Sequence, residues 1–219
     1  MKKIILLVFC ISTSTLIFAQ STEWGVRTGA NLASQTTDVF SDKVRPGIYA
    51  GLFAEHRFNR FLGVQCELLY SMMGGRISYG VSGNYYGPYG YGDGTEVTHT
   101  DVTATDKTNY IVLPVLTKFY VLKNLSFDLG PQFGYMISAK ERIEAEGLNE
   151  NTSINYDYTS NYYNRVDRKF DVSLGVGFSY RLNRRFDISA RGNFGLTNIS
   201  DNSKMKNNVM QLGVGYRLK

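Results

Sequence analysis

Cysteine, histidine and proline are scarce in this chain, and the scarcity of the first two excludes several kinds of chemistry. The 219 residues include 2 Cys, 2 His and 4 Pro. Cys10 lies in an apolar N-terminal segment that we expect to be removed, so Cys66 alone remains and an internal disulfide is excluded. No His or second Cys stands near Cys66 at metal-ligand spacing. Cys66 is therefore interpreted as a small apolar strand residue, and no metal site or cofactor is predicted.

The chain also lacks a dense run of basic residues and, beyond its N-terminus, a long apolar run. It has 24 Lys and Arg against 19 Asp and Glu, and loss of Lys2 and Lys3 with a signal segment leaves 24 − 2 = 22 basic residues and a net charge of +3. Nucleic acid is therefore excluded as a partner. No apolar run of about 18 residues follows the N-terminus, so a membrane-spanning helix is not predicted.

The N-terminus has the pattern of an export signal. Lys2-Lys3 precedes an apolar stretch of about 15 residues that ends at the small residue Ala19, which is short for a spanning helix. We predict a signal peptide over residues 1–19, cleaved after Ala19, with cleavage after Gln20 as the second choice. Residues 20–219 are then predicted to form one domain.

What the chain does have is alternation with a period of two. From Phe170 to Arg181 every second residue is apolar or aromatic, and the residues between are polar or glycine. The same pattern recurs over 24–32, 111–121, 127–135, 185–196 and 210–218, and less regularly over 47–58 and 62–73. Period-two alternation indicates β-strands with two different faces. With 22 Gly, 16 Tyr and 13 Phe, the composition suits eight strands with tight packing.

The connections between these strands alternate in length. Three are short, around 59–60, 123–124 and 183–184, and each carries an Asn, which tolerates the positive φ of tight hairpin turns. Four are long, at 33–46, 74–108, 138–168 and 197–207. This order predicts an up-and-down meander with its tight turns at one end and its long loops at the other.

The composition of the polar face indicates whether the strands form a soluble barrel or a barrel in a membrane. In a soluble barrel that face would be outside and rich in Lys, Glu, Asn and Thr. Here it carries many glycines, which do nothing for solubility but suit a crowded interior. A membrane reverses the arrangement, because only a closed barrel satisfies every strand there and its outside must be apolar. We therefore predict an all-β fold, an eight-stranded antiparallel up-and-down transmembrane β-barrel with short periplasmic turns and long extracellular loops, in the outer membrane of a Gram-negative bacterium.

The interior face also carries charges of both signs, which can pair across a narrow lumen. We predict a lumen charge network with the members Arg27, Glu55, Glu67, Lys118, Asp128, Asp171, Arg181, Asp187, Arg191 and Arg217.

Four segments resemble a known family. Residues 25–32 (GVRTGANL), 51–71, 109–124 and 212–218 (LGVGYRL) are similar to the small outer-membrane β-barrel proteins of Bacteroidetes, the "porin family" or PorT-like barrel domain. The resemblance covers nearly all of the chain after the signal segment. It implies a barrel fold, and its name implies a component of a protein export machine as an alternative function.

Neither an enzyme nor a wide pore is predicted. His56 lies between Glu55 and Arg57 and is interpreted as an interfacial side chain, while His99 lies in a Thr- and Asp-rich loop with no partner pattern. No catalytic residue is therefore assigned. Eight strands leave an interior just wide enough for side chains, so a narrow small-solute channel is the less favoured alternative.

The tyrosine-rich loops are the most distinctive feature. Tyrosine among small polar residues gives a large contact area at low entropic cost. We predict a surface or secretion partner protein, or a glycan, at loops 74–108 and 138–168, besides outer-membrane lipid around the barrel. The alternative is that these loops are simply solvated. The candidate contact residues are Tyr85, Tyr86, Tyr89, Tyr91, Tyr156, Tyr158, Tyr162 and Tyr163.

Overall fold

Ten antiparallel strands make up the computed structural model, which describes residues 22–36, 44–81, 99–149, 152–163, 168–198 and 206–218. The predicted signal peptide, 1–19, lies outside these residues. The strands are β1 (Thr22–Thr36), β2 (Arg45–Arg57), β3 (Leu62–Met73), β4 (Arg76–Val81), β5 (His99–Tyr120), β6 (Leu125–Asn149), β7 (Thr152–Asn161), β8 (Phe170–Arg181), β9 (Phe186–Gly195) and β10 (Lys206–Arg217).

Eight of the ten described strands close into a ring. Its order is β1-β2-β3-β5-β6-β8-β9-β10, and β10 pairs back onto β1 from Gly25↔Arg217 to Thr36↔Lys206. Every neighbouring pair in the ring is antiparallel. The predicted eight-stranded up-and-down barrel is therefore confirmed, and each ring strand contains one of the eight predicted segments or most of it.

The two longest predicted loops differ from the prediction, because they contain strands. β5 and β6, of 22 and 25 residues, run beyond the ring. There β4 pairs with residues 100–105 and β7 pairs with residues 140–149, so β4-β5-β6-β7 form a four-stranded extension that we call the loop-side sheet. The sequence of its β5 part, HTDVTATDKTN, shows no apolar alternation. Only isolated positions of this sheet are buried and apolar, such as Val102 and Ala145, and this is why the pattern did not reveal it.

The end of the barrel opposite the loop-side sheet, here called the turn end, has three tight turns. Asn59 Oδ1 accepts the backbone N–H groups of Phe61 and Leu62 at 2.8 and 2.9 Å, and Asn183 Oδ1 accepts those of Arg185 and Phe186 at the same distances. The predicted positive φ at these asparagines is wrong. Among the described residues only Gly74 has one, +131°, where the chain passes from β3 to β4. The asparagines stabilise the turns through their side chains.

The two faces of the ring confirm the predicted inversion. Outward side chains such as Leu52 and Leu212 are 57 and 67 % exposed, whereas the inward charges Arg27, Glu67 and Asp128 are almost completely buried. Aromatic pairs stand on the outer face towards both ends: Phe127–Phe178 and Phe186–Tyr216 near the turn end, and Phe133–Phe170 nearer the loops. An apolar belt with aromatic residues at its borders suits a bilayer.

Interior glycines make room for large neighbours. A Cβ on Gly25 would collide with the Phe53 ring, and one on Gly213 would collide with the Tyr49 hydroxyl. Both aromatic side chains are buried inside the ring. This explains why glycine, a weak strand residue, recurs on the inward face.

Candidate functional site in the barrel interior

Arg27 on β1 is the centre of the charges at mid-barrel. Its guanidinium donates to the carboxylate of Glu67 on β3 and, at 2.6 Å, to Asp187 on β9. Arg191 donates to both oxygens of Glu67 at 2.9 Å each. The alternation of β1, β3 and β9 turns all four side chains inward. Each buried charge therefore has partners of opposite sign, as charges removed from water require.

The turn end of the lumen is closed by a second group around Glu55 on β2. Its carboxylate accepts from the Tyr120 hydroxyl at 2.6 Å, from Arg181 at 2.9 Å and from Arg217 at 3.0 Å. Lys118 lies 4.0 Å from the same carboxylate and 3.0 Å from Asp128.

Glu23 connects these cations to one another. Its two carboxylate oxygens accept from Arg181 at 3.2 and 2.6 Å, and one of them also accepts from Arg217 at 2.9 Å. Arg217 also lies 2.8 Å from Asp187, although without hydrogen-bond alignment, and this ion pair joins the turn-end group to the mid-barrel group.

The two groups form one ion-pair network of ten residues with no net charge. Its five cations and five anions are Arg27, Lys118, Arg181, Arg191 and Arg217, and Glu23, Glu55, Glu67, Asp128 and Asp187. The cavity enclosed by Glu55, Lys118 and Arg217 has a volume of only about 10 Å³, whereas a wider opening of about 590 Å³ lies outside it, between Glu23, Arg181 and Arg184. The smaller cavity is hardly large enough for one water, so the lumen is filled between Glu55, Lys118 and Arg217.

Nine of the ten predicted network residues lie in this network, and the tenth lies apart. Asp171 accepts from Thr197 Oγ1 at 2.7 Å and from Asn207 Nδ2 at 3.1 Å, in a polar group nearer the loops. Glu23 was not predicted. The sequence did carry a signal for it, because Glu23 stands two residues before Gly25 and shares its inward face.

An apolar cluster fills the lumen towards the loops, and the sequence did not reveal it. Its members, which we call the apolar plug, are Ala33, Tyr49, Leu69, Met73, Tyr110, Val112, Met136, Ala139 and Val209. They are inward residues on strands whose outer faces are also apolar. Such strands lose the period-two signal, which is why 62–73 appeared irregular.

The predicted contact tyrosines divide into three groups. Tyr85, Tyr86, Tyr89 and Tyr91 lie outside the described residues, as does the side chain of Tyr156. Tyr158 on β7 is 43 % exposed and accessible to a partner. Tyr162 and Tyr163 instead pack against the apolar plug. Burial and the carboxylate of Asp106 raise the pKa of Tyr162 well above its ordinary value. These two residues therefore cover the interior rather than offer a contact surface.

The remaining reactive residues form no catalytic or metal arrangement in the part of the chain that the structure describes. His56 lies at the turn end, with Nδ1 3.1 Å from Thr22 Oγ1 and its ring edge-on to Phe58. Cys66 is a free thiol on the outer face of β3. The described residues contain no cluster of His, Cys, Asp and Glu suited to a metal ion. No helix in them is both long and apolar enough to span a membrane.

Comparison with known proteins agrees with this architecture. The family model described as "Outer membrane protein beta-barrel domain" matches residues 18–201. Among solved structures, the attachment invasion locus protein Ail of Yersinia pestis is 17% identical, with 91% of this chain and 100% of that chain covered and a TM-score of 0.45. Neisserial surface protein A is 13% identical, with 89% and 97% covered and a TM-score of 0.48. No curated protein matches the chain.

Proposed function

The chain belongs to the outer membrane protein beta-barrel domain family, and on this premise we propose that its barrel is a filled anchor that presents the loop-side sheet and its tyrosine-rich loops to partners outside the cell. Its place is the outer membrane of a Gram-negative bacterium. The observation that carries the proposal is the double filling of the lumen, by the ion-pair network at the turn end and the apolar plug towards the loops. A barrel filled in this way supports a structural or interaction role rather than transport.

The loop-side sheet supports the interaction role. β5 and β6 carry it beyond the barrel, and β4 and β7 widen it to four strands. Tyr158 stands exposed on β7, beside the ion pair of Arg142 with Asp157. Because β5 and β6 run without a break from the ring into this sheet, the barrel holds it in place. The loops between β4 and β5 and after β7 are therefore attached to paired strands.

A loop deletion tests the proposal. Residues 82–98, which include Tyr85, Tyr86, Tyr89 and Tyr91, are replaced by a short Gly-Ser linker, so that β4 and β5 stay intact. The matched control replaces 199–205, which contains no tyrosine. Cells carrying each variant are applied to a glycan array and to immobilised host-matrix proteins.

We expect wild-type cells to bind at least one of these surfaces, the 82–98 deletion to lose that binding and the 199–205 deletion to keep it. The heat-dependent mobility of the barrel in SDS gels should stay the same in both variants, because neither deletion touches the ring. Equal binding by the two deletion variants, or no binding by the wild type, would contradict the proposal.

The sequence resemblance supports a finer assignment, to the Bacteroidetes PorT-like barrels, with an export machine as the setting. Affinity capture of the tagged protein from outer membranes tests this second candidate. Recovery of a stoichiometric secretion component would favour it, whereas recovery of the barrel alone would favour the free-standing anchor.

A further inference from the structure

We propose that an anionic phospholipid of the inner leaflet binds at β9, with its headgroup on the basic turn before this strand and one acyl chain in an apolar groove that crosses the outer face of the strand. This site belongs to the membrane-facing surface. It does not depend on the surface-binding function proposed above.

The groove has one small residue, Ala190, at its centre on the outer face of β9. Ala190 pairs with Phe178 on β8 and with Leu212 on β10, so a small side chain lies between two large ones. Phe178 and Leu212 are 54 and 67 % exposed and form the two walls. Gly192 is the next outward residue of β9, and a Cβ added there would lie 3.2 Å from the Phe194 ring.

The groove has the dimensions and the chemistry of an acyl-chain site. It has a volume of about 550 Å³, and Ile188 and Val214 also contribute to its lining. Its lining crosses the outer faces of β8, β9 and β10, from Leu125 beside the turn end to Thr28 on β1. Almost all of its surface is apolar. Because it lies on the belt that faces the bilayer, a lipid chain can enter it without crossing water.

Three basic residues lie where the headgroup of such a lipid would be. Arg184 and Arg185 form the turn that leads directly into β9, and Lys123 lies in the adjoining turn between β5 and β6. The two turns are connected, since the Arg181 amide donates to the Asn124 carbonyl at 2.7 Å. The side chains of all three cations are exposed and have no ion pair or hydrogen bond within the described ranges.

Charge complementarity selects the lipid. The three turns carry Arg60, Lys123, Arg184 and Arg185 and no acidic residue. Glu23, the nearest carboxylate in the network, is already held by Arg181 and Arg217. A phosphate or phosphatidylglycerol headgroup at the membrane border would therefore meet three cations whose side chains have no ion pair with any residue that the structure describes. Basic residues near a membrane surface attract anionic lipid in this way.

The side of the membrane follows from the barrel orientation. Short turns of outer-membrane barrels face the periplasm. The headgroup cluster is therefore at the inner leaflet, and Tyr180 and Tyr216 stand on β8 and β10 at the same level, as aromatic residues do at the membrane border.

Lipid selectivity measured on the full chain tests the proposal. The refolded protein is reconstituted in phosphatidylcholine vesicles, and electron spin resonance gives the relative association of spin-labelled phosphatidylglycerol and phosphatidylcholine. We expect about fivefold selectivity for phosphatidylglycerol in low salt. A Lys123→Gln, Arg184→Gln and Arg185→Gln variant should bring it close to one. Arg60→Gln, at the far β2–β3 turn, should leave it unchanged.

A groove variant separates chain binding from simple charge attraction. Ala190→Phe fills the floor between Phe178 and Leu212, and it should lower the selectivity while all three cations remain. Ala50→Phe on the outer face of β2 is the matched control and should have no effect. Heat-dependent mobility in SDS gels shows that each variant has folded.

Three results would overturn the proposal. The first is a wild type without selectivity, and the second is a triple variant that keeps it. The third is an Ala190→Phe variant that dissociates a dimer and leaves the lipid selectivity unchanged, because the groove would then belong to a second copy of the chain.

Discussion

Arg27 contacts two carboxylates and holds β1, β3 and β9 together through its side chain. Replacing it by Met keeps most of the volume but leaves Glu67 and Asp187 with an excess negative charge inside the barrel. Breaking a buried pair from one side costs about 3–5 kcal/mol. We expect Arg27→Met to lower the free energy of unfolding by about this amount, measured by urea unfolding in vesicles. Trp24, the single tryptophan and 58 % exposed on the outer face, reports the loss of lipid contact by its fluorescence.

The control for this prediction is Arg60→Met. Arg60 is exposed in the β2–β3 turn and only stacks on the Phe61 ring, at 4.4 Å from its centroid. Its replacement should change stability by less than about 1 kcal/mol. Adding Asp187→Asn to Arg27→Met should restore part of the loss, because the network is then neutral again and Arg217 keeps Glu23 and Glu55 as partners. An equal cost for Arg27→Met and Arg60→Met would show that the network contributes nothing.

The free-energy cost of an arginine substitution at an outward residue is predicted to depend on the depth of that residue in the bilayer. Val176 lies on the outer face in the middle of β8, and Leu182 lies just beyond the strand at the turn end. An arginine on the lipid face costs about 2–4 kcal/mol at the midplane and about 0–1 near the borders. Val176→Arg should therefore reduce insertion into vesicles strongly and Leu182→Arg weakly. If the order is reversed, the barrel has been placed at the wrong depth.

The sequence predicts whether a side chain points into the lumen or towards the lipid only where polar and apolar residues alternate along its strand. Asp187 and Arg191 could be placed in the lumen because every second residue of β9 is apolar. Leu69 and Met136 could not, since they are apolar residues on the inward face and resemble their outward neighbours. Tyr162 was predicted to contact partners on composition alone, and composition does not tell a covering side chain from an exposed one.

Among the elements, the hairpin of β6 and β7 carries an exposed ion pair between its two strands. Arg142 donates to both carboxylate oxygens of Asp157, at 3.0 and 2.6 Å, and these hydrogen bonds lower the pKa of Asp157. A lowered pKa in the folded chain stabilises the hairpin above the ordinary pKa of Asp, and this contribution is lost as the pH falls through the lowered pKa. We therefore expect the amide protection of β7 to decrease in acid, measured by hydrogen exchange and corrected for the intrinsic rate.

Asp157→Asn removes the ionisable group and serves as the control. Its β7 protection should be lower than that of the wild type at neutral pH and should depend little on pH. The ring strands provide an internal reference, because their amides do not depend on this pair. Parallel pH profiles for wild type and Asp157→Asn would exclude a role for the pair in the hairpin.

The ring strands and the loop-side sheet differ in how well the sequence pattern predicts them. The eight ring strands face lipid on one side, so their alternation is strong and the sequence predicts them well. The loop-side sheet has no lipid-facing side, and its β4 and β7 therefore appeared to be parts of loops. The turns were placed correctly, but for a different reason: Asn59 and Asn183 accept backbone N–H groups with their side chains, and none of this requires positive φ.

At the scale of the whole molecule, the lumen is closed twice in series. The ion-pair network closes the turn end and the apolar plug closes the side of the loops, each with different chemistry. A continuous water path needs both to be open, so opening either one alone should have no effect on conductance. The effects on conductance of opening the network and opening the apolar plug should therefore be non-additive. A lumen with a single constriction would not show this.

Three variants test this prediction in planar bilayers. Glu55→Ala with Arg217→Ala removes one anion and one cation and keeps the network neutral. Leu69→Ala with Met136→Ala removes volume from the apolar plug. The wild type and each pair alone should show no stable openings, and the four changes together should give small cation or anion currents. Openings in the wild type would refute the filled lumen. Openings after the turn-end pair alone would show that the apolar plug does not exclude water, because a well-packed apolar cluster should stay dry.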